Sequence, residues 1–212
     1  MNHQDTKTQR DAGSDAFSLF QETPRPFIDA DALKSKFLKL SAPLHPDRVH
    51  HLSEAEKQES TRRFSELNAA YQILREPRDR INLLLELETG TKPKDIQKIP
   101  PGTMDLFVEV GQFCRELDTF LSSRNSSETS PLLKVTAMRH QQEWLAKLQA
   151  LQAKVNAKAD AMMDELRKLD ASWTASADHK SLLENLENIA RLFSYIARWS
   201  QQIGERLVQL KT

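Results

Sequence analysis

Four residues able to bind a metal or dock on a partner crowd one short polar stretch: His45, Asp47, His50 and His51, with Pro46 between the first two. Imidazole and carboxylate are good zinc ligands. Neighbours within one loop seldom converge on a single ion, however, and Pro46 stiffens the backbone by fixing φ at about −65°, so no metal is expected here. The other use of these groups is to meet a partner, and His45-Pro46-Asp47 sits in a break between two amphipathic patterns where it is free to do so. Cys114 is the single cysteine. One thiolate cannot hold a cluster that takes four, nor close an internal disulfide, so an inert, small hydrophobe in a reducing compartment is the reading. Trp144, Trp173 and Trp199 could serve as binding anchors, but packing between helices is the commoner use of tryptophan.

The elements that must hold the tripeptide are legible on both sides. Upstream, Asp29 or Asp31 can cap a helix by accepting its unpaired first-turn N–H groups. Leu33, Phe37, Leu40 and Leu44 then step by four, three and four, which makes one apolar face at a period of 3.6. Lys34, Lys36 and Lys39 lie on the other side, with Arg48 just beyond the break, so a cationic surface runs up to the tripeptide. Pro46 biases His45 toward extended geometry, and the helix should stop before His45. Downstream, Ser53 and Glu56 form the capping-box pattern Ser-x-x-Glu. The helix they open carries Phe64, Leu67, Tyr71 and Leu74 on one face, ready to pack antiparallel against the first.

Residues 17–87 as a whole resemble the J-domain, the module that couples co-chaperones to DnaK-type ATPases. Phe17-Ser18-Leu19-Phe20 is similar to its short first helix, residues 33–44 to its basic second and residues 64–74 to its third. The segment from Arg75 to Leu87 narrows the resemblance to the HscB-type co-chaperones of iron-sulfur cluster assembly. General J-proteins continue into Gly-rich sequence, and this chain has five glycines in 212 residues. The resemblance implies that His45, Pro46, Asp47, Lys34, Lys36, Lys39 and Arg48 face a DnaK/HscA-type ATPase chaperone and favour its ATP hydrolysis.

Past a stretch punctuated by Gly90, Pro93, Pro100, Pro101 and Gly102, which reads as a domain boundary, residues 105–118 are similar to the helix with which HscB-type proteins bind the iron-sulfur scaffold. By that resemblance Phe107, Val108 and Phe193 are the client contacts. Gly111, Gln112 and Arg115 depart from the family pattern, which offers apolar and acidic residues there. This leaves the client open between the scaffold and another protein. Two long apolar stripes follow, from Leu145 to Leu169 and from Leu186 to Leu210, advancing by threes and fours. Stripes of this kind belong to helices packed on one another. Breaks fall at residues 122–130, with Pro131 suited to a first helical turn, and at residues 170–177.

The expected architecture is all-α: a lead-in at residues 1–15 without fixed structure, a J-domain helical hairpin at 16–88, a linker at 89–103 and an antiparallel three-helix bundle at 104–212. Leu83, Leu84 and Leu87 would form an exposed patch unless they pack against the later helices. Thirty basic residues balance thirty acidic ones, without the basic excess that nucleic-acid binding needs. No run of about 20 apolar residues is present to cross a membrane. The N-terminal segment has neither the apolar core of a secretory signal nor the Arg-rich pattern of a transit peptide, which points to the cytoplasm. With no phosphate loop and no catalytic triad in view, no enzymatic activity and no cofactor are expected. A helical adaptor whose J-domain does not stimulate an ATPase is the remaining alternative.

Overall fold

The computed structural model describes residues 16–93, 99–100, 102–124, 131–176 and 178–211, all of them helix, turn or extended connection without a strand. The expectation for residues 1–15 lies outside them. After a helical turn at residues 16–19, the elements are α1 (Ala30–Ser41), a 3-10 turn (Ala42–Leu44), α2 (Pro46–Val49), α3 (Glu54–Arg75), α4 (Pro77–Thr89), α5 (Met104–Arg124), α6 (Pro131–Ala175) and α7 (Lys180–Lys211). The described residues make an all-α fold, a helical hairpin followed by a helical C-terminal region. It divides into two compact units, one of Met1–Asp95 with Glu165–Ala190, the other of Ile96–Asp164 with Arg191–Thr212.

In the first unit, local chemistry sets the helix ends. Asp29 caps α1 by accepting from the Ala32 N–H at 2.8 Å. The capping box of α3 is complete, with the Ser53 N–H on Glu56 Oε2 at 2.9 Å and the Glu56 N–H on Ser53 Oγ at 3.4 Å. Glu76 is extended (φ −83°, ψ 117°), as the residue before a proline prefers. The leucine-rich segment therefore forms a helix of its own. Gly90, at φ 70°, closes α4 in the left-handed region where glycine carries no Cβ penalty.

The apolar faces then meet as their spacing requires. Phe17, Phe20, Leu33, Leu67, Ala70, Leu74 and Leu83 form one buried cluster, with Phe37, Leu40, Leu44 and Tyr71 packed on it. Phe37 and Tyr71 stack at 4.4 Å between ring centroids. Ile81, Leu84 and Leu85 are also buried, whereas Leu87 is exposed. The Glu165–Ala190 part of the same unit buries Leu166, Asp170, Trp173, Leu186 and Ile189. Helix α6 continues through Ala175, past the break expected at residue 170. Leu166, Asp170 and Trp173 lie at helical steps of four and three on its buried side, and the Asp170 side chain serves a distant partner instead of ending the helix.

In the second unit, Glu109 pairs with Lys154 at 2.5 Å, and Phe113 and Phe120 flank Trp144. Helices α5 and α6 thus run antiparallel. Asp118 holds Arg206 through two bonds of 3.0 and 2.7 Å, and Phe107 meets Tyr195, so α5 and α7 run parallel. The core between them contains Val110, Cys114, Leu117, Leu148, Leu151, Val155, Ile196, Trp199 and Ile203. Trp173 and Trp199 are buried and Trp144 lies between two phenyl rings, the packing role expected of them.

Candidate functional site

The 3-10 turn carries Leu44 onto the core and delivers the chain to His45, which is extended (φ −65°, ψ 136°). Pro46 then opens a helix, since its missing N–H would be unpaired there in any case. Pro46 and Asp47 thus begin a one-turn helix with His45 as its N-cap, rather than an open loop. Three side chains hold it. Ser60, buried on α3, donates to the Leu44 carbonyl at 3.2 Å and so fixes the approach to His45. His45 Nδ1 accepts from the Asp47 N–H at 3.3 Å. At the far end the Asp47 carbonyl accepts from His50 Nδ1 at 2.7 Å, and the His51 ring meets that of His50 edge-on at 5.5 Å. Ser60 was not legible in the sequence, because its partner is sixteen residues away.

The result is a carboxylate held out in water. The Asp47 side chain is 88% exposed and that of His45 54%, with His45 Nδ1 3.5 Å from Asp47 Oδ2. Lys34, Lys39 and Arg48 are exposed as well. Lys36 is used differently: its Nζ pairs with Glu22 at 2.6 Å and donates to the Gln21 carbonyl at 3.3 Å. Gln21 has a left-handed φ of 48°, so Lys36 secures the turn between the first two helices. On the outer face of α3, Arg62 and Arg63 both bond to Glu59 and hold its carboxyl down at about 2.

Elsewhere in the same unit lies a buried charge that sequence reasoning missed. Arg80 donates Nε to the Pro26 carbonyl at 2.8 Å and another N–H to the Leu74 carbonyl. Desolvation pushes its guanidinium down to about 10, against the nearby charges of Asp170 and Glu76, which leaves it charged at neutral pH. Asp170 accepts two bonds from Arg25 and one, of 3.0 Å, from the Phe27 N–H. Arg167 covers the Phe27 ring at 5.0 Å, and Glu88 pairs with His179 at 3.1 Å. The connection leading into α1 is therefore fastened to α6.

The expected client residues part company. Phe107 and Val108 are 38% and 51% exposed, and Met104, one turn earlier, extends their apolar strip. Phe193 is 9% exposed and sits in the core of the second unit. Its place on the α7 stripe makes it a packing residue, and it is not carried further as a contact. Gln112 bonds to Glu116 at 2.8 Å, and a Cβ on Gly111 would meet only Arg115 NH1, at 3.7 Å. Burial pushes the Cys114 thiol up. Among the described residues no three His, Cys, Asp or Glu side chains converge on a metal position, and no helix is long and apolar enough to cross a membrane.

The family model of the DnaJ domain matches residues 25–83. A co-chaperone protein HscB homolog of Haemophilus ducreyi is 28% identical over 153 residues, 71% of this chain and 87% of the relative. One from an Azoarcus species is 39% identical over 77 residues, 36% of this chain and 44% of its own length. In fold, the crystal structure of human co-chaperone protein HscB superposes with a TM-score of 0.57 at 19% identity, over 90% of this chain and 81% of that one.

Proposed function

We propose that this J-domain chain is an HscB-like co-chaperone that stimulates ATP hydrolysis by a DnaK/HscA-type chaperone and brings it a client, the iron-sulfur cluster scaffold protein. The observation that carries the reading is the exposure of Asp47 on a turn capped at both ends, within the segment matched by the DnaJ domain. In this reading residues 16–88 are the J-domain, 89–103 the linker and 104–212 the client-binding bundle. His45, Asp47, Lys34, Lys39 and Arg48 face the chaperone, while Lys36 is engaged by Glu22 and the Gln21 carbonyl.

The chain does not itself turn over a substrate and needs no cofactor. It acts by binding the hydrolysis-competent state of the ATPase better than the others, because only differential affinity shifts a population. Phe107 and Val108, with Met104, contact the client. A buried thiol at Cys114 suits the cytoplasm as the working compartment. Gly111, Gln112 and Arg115 favour a second reading, in which the same architecture serves another client.

Single-turnover ATP hydrolysis by the chaperone, with the native chain or Asp47→Asn and with or without scaffold, separates these. Stimulation that needs Asp47 and grows with scaffold supports the first reading. Stimulation indifferent to scaffold supports the second, and none at all leaves a helical adaptor.

A further inference from the structure

We propose that His50 is a positioning residue for Asp47: its Nδ1–H holds the Asp47 carbonyl and so presets the direction in which the carboxylate meets the chaperone. This rests on the co-chaperone reading of the same turn. Helix α2 has four residues, too few for its ends to be satisfied by internal bonds. The Asp47 N–H goes to His45 Nδ1 and its carbonyl to His50 Nδ1, so both of its backbone polar groups are held by imidazoles. A carbonyl only accepts, so His50 must carry its hydrogen on Nδ1, and His45 must leave its own Nδ1 free of one to accept. The tautomer of each ring is thus set by the bond it makes.

The consequence is mechanical. With the side chain 88% exposed, packing cannot fix the Asp47 carboxylate, and the two imidazole bonds hold the backbone groups of Asp47 itself. A group ordered beforehand loses less freedom on docking. The cost of removing His50 should therefore fall on the concentration needed for stimulation, while the maximal rate, which depends on the carboxylate itself, stays.

Two measurements on the full-length protein test this. Long-range proton–nitrogen NMR at pH 8 should show His50 as the Nδ1–H tautomer. In the single-turnover assay, His50→Leu and His50→Asp, which lack the donor, should raise the half-maximal concentration about fivefold, the factor lost with one net hydrogen bond. His50→Asn places an amide N–H at the same δ position and should stay within about twofold of native. An Nε2–H tautomer, or a His50→Leu titration matching native, overturns the positioning role while leaving the co-chaperone reading intact. Absence of stimulation by the native chain overturns both, and is told apart by that control.

Discussion

Asp47 in the α2 turn and Asp170 in α6 belong to the same compact unit, yet the side chain of the first is 88% exposed and that of the second 6%. Around Asp47 the surrounding bonds hold backbone and leave the carboxylate in water. Around Asp170 they consume the carboxylate itself, through Arg25 and the Phe27 N–H, with the charge of Arg80 close by. The contrast teaches where each residue's energy is spent. A buried charge partner is worth much to the fold, because removing it strands other charges in a poor solvent. An exposed carboxylate is worth almost nothing to the fold and is free to act on a partner.

Asp170→Ala should cost about 2 kcal/mol, since the Phe27 N–H and Arg25 lose their acceptor and buried Arg80 loses one of its two nearby opposite charges; a urea titration giving less than about 1 kcal/mol would erase the distinction. Arg80→Met should cost about 2 kcal/mol in the same titration, because the Pro26 and Leu74 carbonyls lose their donor. Ser53→Ala removes the capping box beside the turn and should cost about 1 kcal/mol. Asp47→Asn should change stability by no more than about 0.5 kcal/mol while abolishing ATPase stimulation; unfolding seen by circular dichroism would put Asp47 on the side of Asp170.

The smallest effect lies on the exposed face of α3. Glu59 titrates at about 2 in the fold, below its ordinary 4.5, because Arg62 and Arg63 bond to it. The unfolded chain therefore binds more protons between these values, so its contribution to stability is complete above 4.5 and lost as pH falls through about 2. Glu59→Gln should flatten the acid limb of a thermal-melting series there, and no other part of it.

Much of this was readable in the residues. The stripes of α1 and α3 became the J-domain core, Asp29 and Ser53 capped the helices they precede, and Pro131 opened α6. Those signals are local, set by period and by bonds within one turn. The misses are not local. Arg80 reads as one more surface arginine in a charged run, and nothing near it announces that Pro26, fifty-four residues away, supplies an acceptor. Asp170 reads as a helix breaker, yet its carboxylate is taken by Arg25 and the chain stays helical to Ala175. Phe193 and Phe107 are both apolar positions on amphipathic helices, and only packing put one in the core and left the other at the surface.

The all-α class, the apolar faces, the helix caps and the helix start at Pro46 were set by residues close in the chain, because periodicity, capping and proline stereochemistry act over a few residues. Tertiary structure alone decided that Asp170 and Arg80 are buried and that Lys36 pairs with Glu22. Those outcomes depend on which distant groups arrive beside a charge and whether water remains, and neither is encoded in spacing.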